Sequence, residues 1–269
     1  FAILDLARGR AETWDGGTAR GGVTRFDGPT AGLGHRRLSI IDLDGGAQPM
    51  ANEDETIWIT YNGEIYNFAD LRNELQRLGH RFRTDHSDTE VIIHGYEQWG
   101  IEGCLERLRG MFAFGLVDMA EGRIVLARDR LGKKPLVYYW AQDRLVFASE
   151  AKAIVEDRSI DRRVDLAALA DYFTYGYIPS PKTIFAGLHK LPPGHFAKID
   201  LGSGGPPQPQ SYWDVCFEPD EKASEAEWTE RLRDELAESV RLRMISDVPL
   251  GAFLSGGADS STIVAEMSQ

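Results

Sequence analysis

The 269 residues predict an α+β layered fold, joined late in the chain to the start of a second, α/β unit. Three observations carry this. Short segments rich in β-branched and aromatic residues are separated by polar or glycine-bearing turns. The helical patterns fall among them without the regular strand–helix–strand alternation of a parallel sheet. After residue 201 a Gly/Pro stretch breaks the pattern, and a helix, an apolar strand, a glycine-rich turn and another helix follow.

Five segments are expected as strands: residues 56–61, 111–118, 123–128, 136–140 and 144–149. Asn67 can cap a helix over 68–78, with Phe68, Leu71, Leu75 and Leu78 on one stripe. Ser87 and Glu90 stand at capping-box spacing ahead of 91–99, and Asp165 can cap 166–173. The stretch 201–210, LGSGGPPQPQ, cannot hold regular structure and is expected as a surface hairpin loop or a linker. Ser224 and Glu227 form a second capping-box pattern, after which Trp228, Leu232, Leu236, Val240 and Met244 recur at helical spacing. Residues 248–254 then read as an apolar strand, 255–261 as a glycine-rich turn and 262–267 as the start of a helix. The domain change is placed between Gly202 and Ala223, giving a first domain over 1–205 and the start of a second over 206–269.

Composition excludes several classes. The net charge of −12 opposes nucleic-acid binding, which needs Lys/Arg to neutralise phosphates. No apolar run approaches the roughly 18 residues of a membrane span, and no signal peptide is expected, since the first residues lack a basic segment followed by a long apolar stretch. Cys104 and Cys216 have neither CxxC spacing nor a histidine partner, which fits a reducing, cytoplasmic setting. Phe1 in place of Met, and Gln269 inside a helical pattern, lead to the expectation of a piece of a longer protein.

The turn Ser255-Gly256-Gly257-Ala258-Asp259-Ser260-Ser261 has the chemistry of a phosphate cradle. Glycines let backbone N–H groups approach an anion, and the following helix aims its positive end at the same point. The serines add hydroxyl donors, and Asp259 can hold Mg²⁺ bound to phosphate. It is not a Walker loop: Gly132-Lys133-Lys134 lacks the Ser/Thr that should follow the lysine. Nor is the run at 202–205 a dinucleotide fingerprint, because Pro207 occupies the last glycine's place. The plainer alternative is a capped helix entry after a buried strand.

The string is similar to the SGGxDS loop of ATP pyrophosphatases that activate a carboxylate as an acyl-adenylate. Upstream, in order, stand His35-Arg36-Arg37-Leu38-Ser39-Ile40-Ile41-Asp42, Tyr61-Asn62-Gly63-Glu64-Ile65-Tyr66-Asn67, Ser87-Asp88-Thr89-Glu90 and Arg109-Gly110-Met111-Phe112-Ala113-Phe114. Arg128-Asp129-Arg130-Leu131-Gly132 and Ala148-Ser149-Glu150-Ala151-Lys152 agree with them. From about His35 to its end the chain resembles the glutamine-hydrolysing asparagine synthetases. The resemblance implies an N-terminal-nucleophile αββα sandwich, then the truncated start of an α/β adenine-nucleotide-binding domain.

It also implies a glutamine pocket in which Arg37 takes the carboxylate and Asp88 the ammonium. Leu38, Ser39, Ile40 and Ile41 would contribute backbone and Glu64 a side chain, with Asn62 and Gly63 as the oxyanion hole. ATP would lie on Leu254, Ser255, Gly256, Gly257, Asp259 and Ser260, with Mg²⁺ reaching Asp259 through the pyrophosphate. Each residue has a plainer reading as well. Arg37 alone could be a solvated base, Asp88 a carboxylate favoured in the first turn of a helix, and Asn62-Gly63 a two-residue hairpin turn.

The implied activity joins glutamine hydrolysis to ammonia transfer and to ATP-dependent conversion of aspartate, through a β-aspartyl-adenylate, into asparagine. The same architecture acting on another carboxylate, or a non-catalytic glutamine-binding module, stays open, as does a homodimer. The family's nucleophile is a first-residue cysteine whose α-amine serves as base. Here Phe1 stands first, the family's His-Arg-Gly-Pro-Asp segment is missing, and 11–29 does not align. Cys104 and Cys216 have no adjacent amine and are expected as small buried hydrophobes. The chain is therefore expected to bind glutamine without releasing glutamate, and 248–254 to be poorly ordered.

Overall fold

The alternation of Ile57, Ile59, Tyr61 and Ile65 with Trp58, Thr60, Asn62 and Glu64 sends two different sets of side chains to the two faces of one strand. In the computed structural model, residues 2–5, 10–13, 30–38, 40–201, 205–219 and 222–268 are described. The strands are β1 (Ala2–Asp5), β2 (Arg10–Thr13), β3 (Thr30–Leu33), β4 (Met50–Ala51), β5 (Ile57–Ile65), β6 (Gly110–Asp118), β7 (Arg123–Arg128), β8 (Val137–Ala141), β9 (Arg144–Ala148), β10 (Leu188–Lys190), β11 (His195–Asp200) and β12 (Gln210–Ser211). The helices are α1 (Phe68–Arg77), α2 (Glu90–Arg107), α3 (Ala151–Val155), α4 (Leu166–Tyr175), α5 (Glu225–Arg243) and α6 (Ala258–Met267).

Six strands form an antiparallel sheet in the order β12-β11-β7-β6-β5-β4. On one face Ile57, Ile59, Tyr61 and Ile65 join Phe112 and Phe114 beneath Phe68, Leu71 and Leu75 of α1 and Val91, Ile92 and Leu105 of α2. On the other face Trp58, Ala113, Val117 and Leu126 meet Tyr138, Trp140 and Phe147 of a second antiparallel sheet, β10-β8-β9. That sheet turns Val137, Tyr139 and Val146 outward against Ile154 and Val155 of α3. The layers therefore run helix, sheet, sheet, helix, as the αββα expectation requires. A third sheet, β2-β1-β3, packs Ala31 and Leu33 against the Trp58 face.

β7 matches its expected bounds, but β5 runs beyond the expected 56–61. Asn62-Gly63 is consequently mid-strand, opposite Ala113 and Phe112, and not a hairpin turn. A Cβ on Gly63 would lie 2.2 Å from the Met111 carbonyl oxygen, so only glycine allows the strands this approach. β12 pairs antiparallel with β11, Phe196 opposite Gln210, and residues 202–204 of the stretch expected as a hairpin loop or linker lie outside the described residues.

The caps divide. Asp165 accepts the Ala167 and Ala168 N–H groups at 2.9 and 3.1 Å, and the Ser224–Glu227 box forms. Asn67 does not cap α1: its side chain spans to the Arg107 carbonyl and the Arg109 N–H, both at 2.9 Å. The Ser87–Glu90 box is also absent, because the Glu90 carboxylate turns back to the Arg83 and Thr84 N–H groups. Leu78 lies past the end of α1 and is exposed.

Of the α5 stripe, Val240 is buried, whereas Trp228, Leu232 and Met244 are exposed. Residues 248–254 are not a strand, since no described strand lies alongside to pair with them, and Phe253 is fully exposed. The helix after the glycine turn begins at Ala258, earlier than residue 262.

α2 opens on a buried charge cluster. His94 is fully buried, with Nδ1 2.7 Å from a Glu97 oxygen and Nε2 3.6 Å from Glu90, an ion-pair distance. Burial lowers the imidazole's basicity, but Glu90 and Glu97 outweigh it and lift the pKa to about 9. Burial likewise opposes an ionised Glu90, yet His94, Thr84 and the Arg83 and Thr84 N–H groups hold it at about 2. A histidine whose folded-state value exceeds its unfolded 6.5 stabilises the fold fully below pH 6.5 and loses that contribution as pH rises towards 9. Denaturant unfolding of the chain is expected to lose up to roughly 3 kcal/mol across this window. His94→Gln should flatten the decline, and an unchanged slope in that variant would count against the assignment.

Candidate functional site

A cavity of about 670 Å³ opens where the even-numbered face of β5, the loop at 34–41, the turn before α2 and the end of β9 meet. Arg37, Leu38, Ile40, Ile41, Asn62, Gly63, Glu64 and Asp88 all line it, so the sequence-expected pocket residues outside 39 converge; Ser39 lies outside the described residues.

Asp88 is buried, and its Oδ2 accepts the Tyr61 hydroxyl at 2.8 Å and the Ile65 N–H at 3.0 Å. Burial raises its pKa against the pull of those two bonds and of the Arg37 charge. Burial and Asp88 together push the Tyr61 phenol well up, so it remains a donor. Arg37 is half-buried and holds its own loop: Nη2 donates to the Ile41 and Asp42 carbonyls at 2.5 and 2.8 Å, and Nη1 to Leu43 at 3.2 Å. A guanidinium has five N–H groups, so two are left for a ligand among the described residues.

Asn62 Nδ2 stands 3.3 Å from the Ser149 hydroxyl, which ties β5 to the end of β9 across the two sheets. Gly63 follows it on the cavity wall. Leu38 is exposed at the rim, while Ile41 is buried. His35 lies 3.2 Å from Thr60 Oγ1, and burial, with Arg37 nearby, lowers its pKa and favours the neutral ring.

Several lining residues escaped the sequence reading. Gln48 accepts the Tyr61 N–H at 2.7 Å, which serves a backbone donor that β4 does not reach. Lys134 also lines the cavity, facing Glu64. Burial raises the Glu64 pKa, and the Lys134 charge opposes it. The turn that delivers Lys134 is knotted on a buried carboxylate: Asp129 accepts the N–H groups of Leu131, Lys133 and Lys134 at 3.1, 2.9 and 2.9 Å. Arg128 closes the same turn through the Gly132 and Lys134 carbonyls, both at 2.7 Å. The signal was the Arg128-Asp129 pair ahead of Gly132, which identifies a fixed turn but not what it presents.

The second group of expected residues lies elsewhere. Leu254, Ser255, Gly256, Gly257 and Asp259 are exposed, and none lines the cavity. Gly256 has φ 81°, a left-handed conformation that suits glycine. Ser255 and Ser260 hydroxyls meet at 3.0 Å, and Ser261 N–H makes the first bond of α6, to Gly257. The N–H groups ahead of it point out of the helix end, the arrangement that suits a phosphate. Asp259 sits beside them in the first turn. Elsewhere His80, His94 and Glu97 bring ligand-type atoms within 4.8 Å, but none lines the cavity and the His94–Glu97 contact accounts for their closeness. Among the described residues no helix is long and apolar enough to cross a membrane.

The model of the glutamine amidotransferase domain family matches residues 15–213, and that of the asparagine synthase family matches 231–269. Asparagine synthetase (glutamine-hydrolyzing) 1 of Bacillus subtilis (strain 168) is 41% identical over 240 residues, covering 89% of this chain and 37% of that protein. Asparagine synthetase (glutamine-hydrolyzing) 3 of the same strain is 40% identical over 239 residues, 87% of this chain and 38% of its own. The chain thus spans under two-fifths of the length of these curated relatives. A solved glutamine phosphoribosylpyrophosphate amidotransferase from B. subtilis is similar over 83% of this chain and 47% of its own, at 18% identity and a TM-score of 0.44.

Neither cysteine reaches the cavity. Cys104 is buried in α2, 3.8 Å from the Ile92 carbonyl, and burial pushes its thiol up to about 12. Cys216 is exposed, which corrects the expectation that both are buried; it lies on an open stretch after β12, with no apolar layer above it. A thiol-specific chromogenic reagent is therefore expected to titrate Cys216 quickly in the native chain, and Cys104 only after denaturation. Rapid native labelling of a Cys216→Ser variant would contradict this placement.

Proposed function

Because the chain belongs to the glutamine amidotransferase domain family, whose model matches residues 15–213, we propose that its cavity takes free glutamine by both charged ends and by its amide. Arg37 meets the carboxylate with the guanidinium hydrogens that its loop leaves over, and Asp88 meets the ammonium. The loop backbone of Leu38, Ile40 and Ile41 and the side chain of Glu64 complete the wall. Asn62 and Gly63 place donors for the oxygen that becomes negative when the amide carbon is attacked. The observation that carries this reading is the convergence of Arg37, Asp88, Asn62 and Gly63 on one cavity.

In the whole protein the ammonia so released would pass to the following domain, for which we take 1–205 and 206–269 as the division; the six-stranded sheet itself reaches Ser211. There Leu254, Ser255, Gly256, Gly257 and Ser260 would hold ATP by its pyrophosphate, with Asp259 on the accompanying Mg²⁺. ATP would activate the β-carboxylate of aspartate as an adenylate, which ammonia converts to asparagine. The match of 231–269 to the asparagine synthase family and the names of the two relatives support this acceptor. An exposed free thiol at Cys216 suits a reducing compartment.

Titration calorimetry of the 269-residue chain is expected to show L-glutamine binding. Arg37→Ala and Asp88→Asn should each weaken it about tenfold or more, the worth of a charge-assisted hydrogen bond. Affinity should also fall as pH drops through the raised Asp88 value, because the protonated carboxyl no longer pairs with an ammonium. No glutamate should appear, since no thiol lines the cavity. Undiminished binding by both variants would refute the pocket, and glutamate release would refute the absence of a nucleophile.

A further inference from the structure

The two walls that would hold the ends of the amino acid meet on a carboxylate that lines neither. Asp247 follows α5 and is partly exposed. Its Oδ2 accepts the Asp42 N–H at 2.7 Å and contacts His86 Nε2 at 2.6 Å, while its own N–H donates to the Ile40 carbonyl at 3.0 Å. Ile40 and Asp42 flank Ile41, and the Ile41 and Asp42 carbonyls are the ones that hold the Arg37 guanidinium. His86 stands at the turn that delivers Asp88. One side chain thus fastens the Arg37 loop to the Asp88 turn, and the backbone bond to Ile40 fixes its own position. Nearby, Arg243 stacks on Tyr66 at 4.8 Å, and Val240 and Leu242 are the buried residues of α5, so this end of the helix is docked. Beyond Asp247 the chain runs through 248–254 directly into the glycine-serine turn at 255–261.

We propose that Asp247 is a positioning residue for the amino-acid pocket, setting the spacing between Arg37 and Asp88 and tying that spacing to the segment that enters the nucleotide turn. The inference rests on reading the cavity as a glutamine site. His86 is the titratable half of the tie. It faces Asp247 on Nε2 and Asp85 on Nδ1 at 3.1 Å, with Asp42 close by, and the hydrogen bond to Asp247 raises its pKa above the ordinary 6.5. The ion pair is therefore intact below that raised value and weakens as pH rises through it.

The test is glutamine affinity of the 269-residue chain by calorimetry, as a function of pH, beside circular dichroism and thermal unfolding. The wild-type chain is expected to bind, with affinity declining several-fold above the His86 titration. Asp247→Ala should bind about tenfold more weakly, the effect of losing charge-assisted bonds. Asp247→Asn keeps an acceptor for the Asp42 N–H and should recover part of the affinity but not the alkaline decline. Should the alanine variant fail to fold, His86→Gln carries the same expectation, loss of the alkaline decline. Wild-type binding that both Asp247 variants reproduce in strength and pH profile overturns the inference. A wild-type chain that binds no glutamine overturns the pocket reading beneath it instead.

Discussion

A single buried carboxylate constrains the rest of the site. Asp88 is held in the protein at a desolvation cost, which the Ile65 N–H, the Tyr61 hydroxyl and the Arg37 charge offset in part. Those partners come from the middle and the C-terminal end of β5 and from a separate loop. Asp88 therefore cannot keep its bonds unless β5 holds its register, because a slip by one residue would carry Tyr61 to the other face of the sheet. The same register puts Asn62 and Glu64 on the side towards the second sheet, where the end of β9 supplies Ser149. Packing of the apolar core on α1 and α2 and presentation of polar groups to the cavity are thus two consequences of one alternation.

The layers were legible because their signals are local. The short runs of β-formers bounded by turn residues in β6 and β7, and the helical stripe of Phe68, Leu71 and Leu75, describe segments that must be buried wherever the chain goes. Caps were legible where side chain and helix start face only each other, as at Asp165 and Ser224. They were not legible where a distant segment competes. Glu90 had the spacing of a capping box, but the backbone of Arg83 and Thr84 and the ring of His94 offer it more. Asn62-Gly63 illustrates the same limit from the other side. As a dipeptide it favours a turn, and only its pairing with Ala113 and Phe112 keeps it extended. Residues 248–254 have the composition of a buried strand, which needs partners on its edges, and none of the described strands provides them.

For the site, the charged residues were recognisable as a set, whereas the groups that orient them were not. Gln48, Ser149 and Lys134 are ordinary polar residues in sequence, and their value comes from where turns and sheet ends place them. Asp129 shows why such roles are hidden: it acts through backbone N–H groups, which every residue carries and which no motif spacing reveals.

The charges lining the cavity also bear on what it can hold. Arg36, Arg37 and Lys134 supply three cations, and Glu64, Asp88 and Glu150 three anions, with His35 favouring its neutral form. Burial penalises the ionised Asp88 and Glu64, and a ligand of net charge would leave one sign uncompensated in a partly enclosed space. A simple anion would satisfy Arg37 while bringing a like charge towards Asp88, and a simple cation would do the reverse. A zwitterion avoids both penalties, since its carboxylate and ammonium divide between the two signs and leave the balance unchanged. The remaining polar donors, at Asn62 and Gly63, carry no charge and so match an uncharged amide better than a third ionised group. Electrostatic balance therefore disfavours a simple anion or cation and agrees with the zwitterion proposed for this cavity.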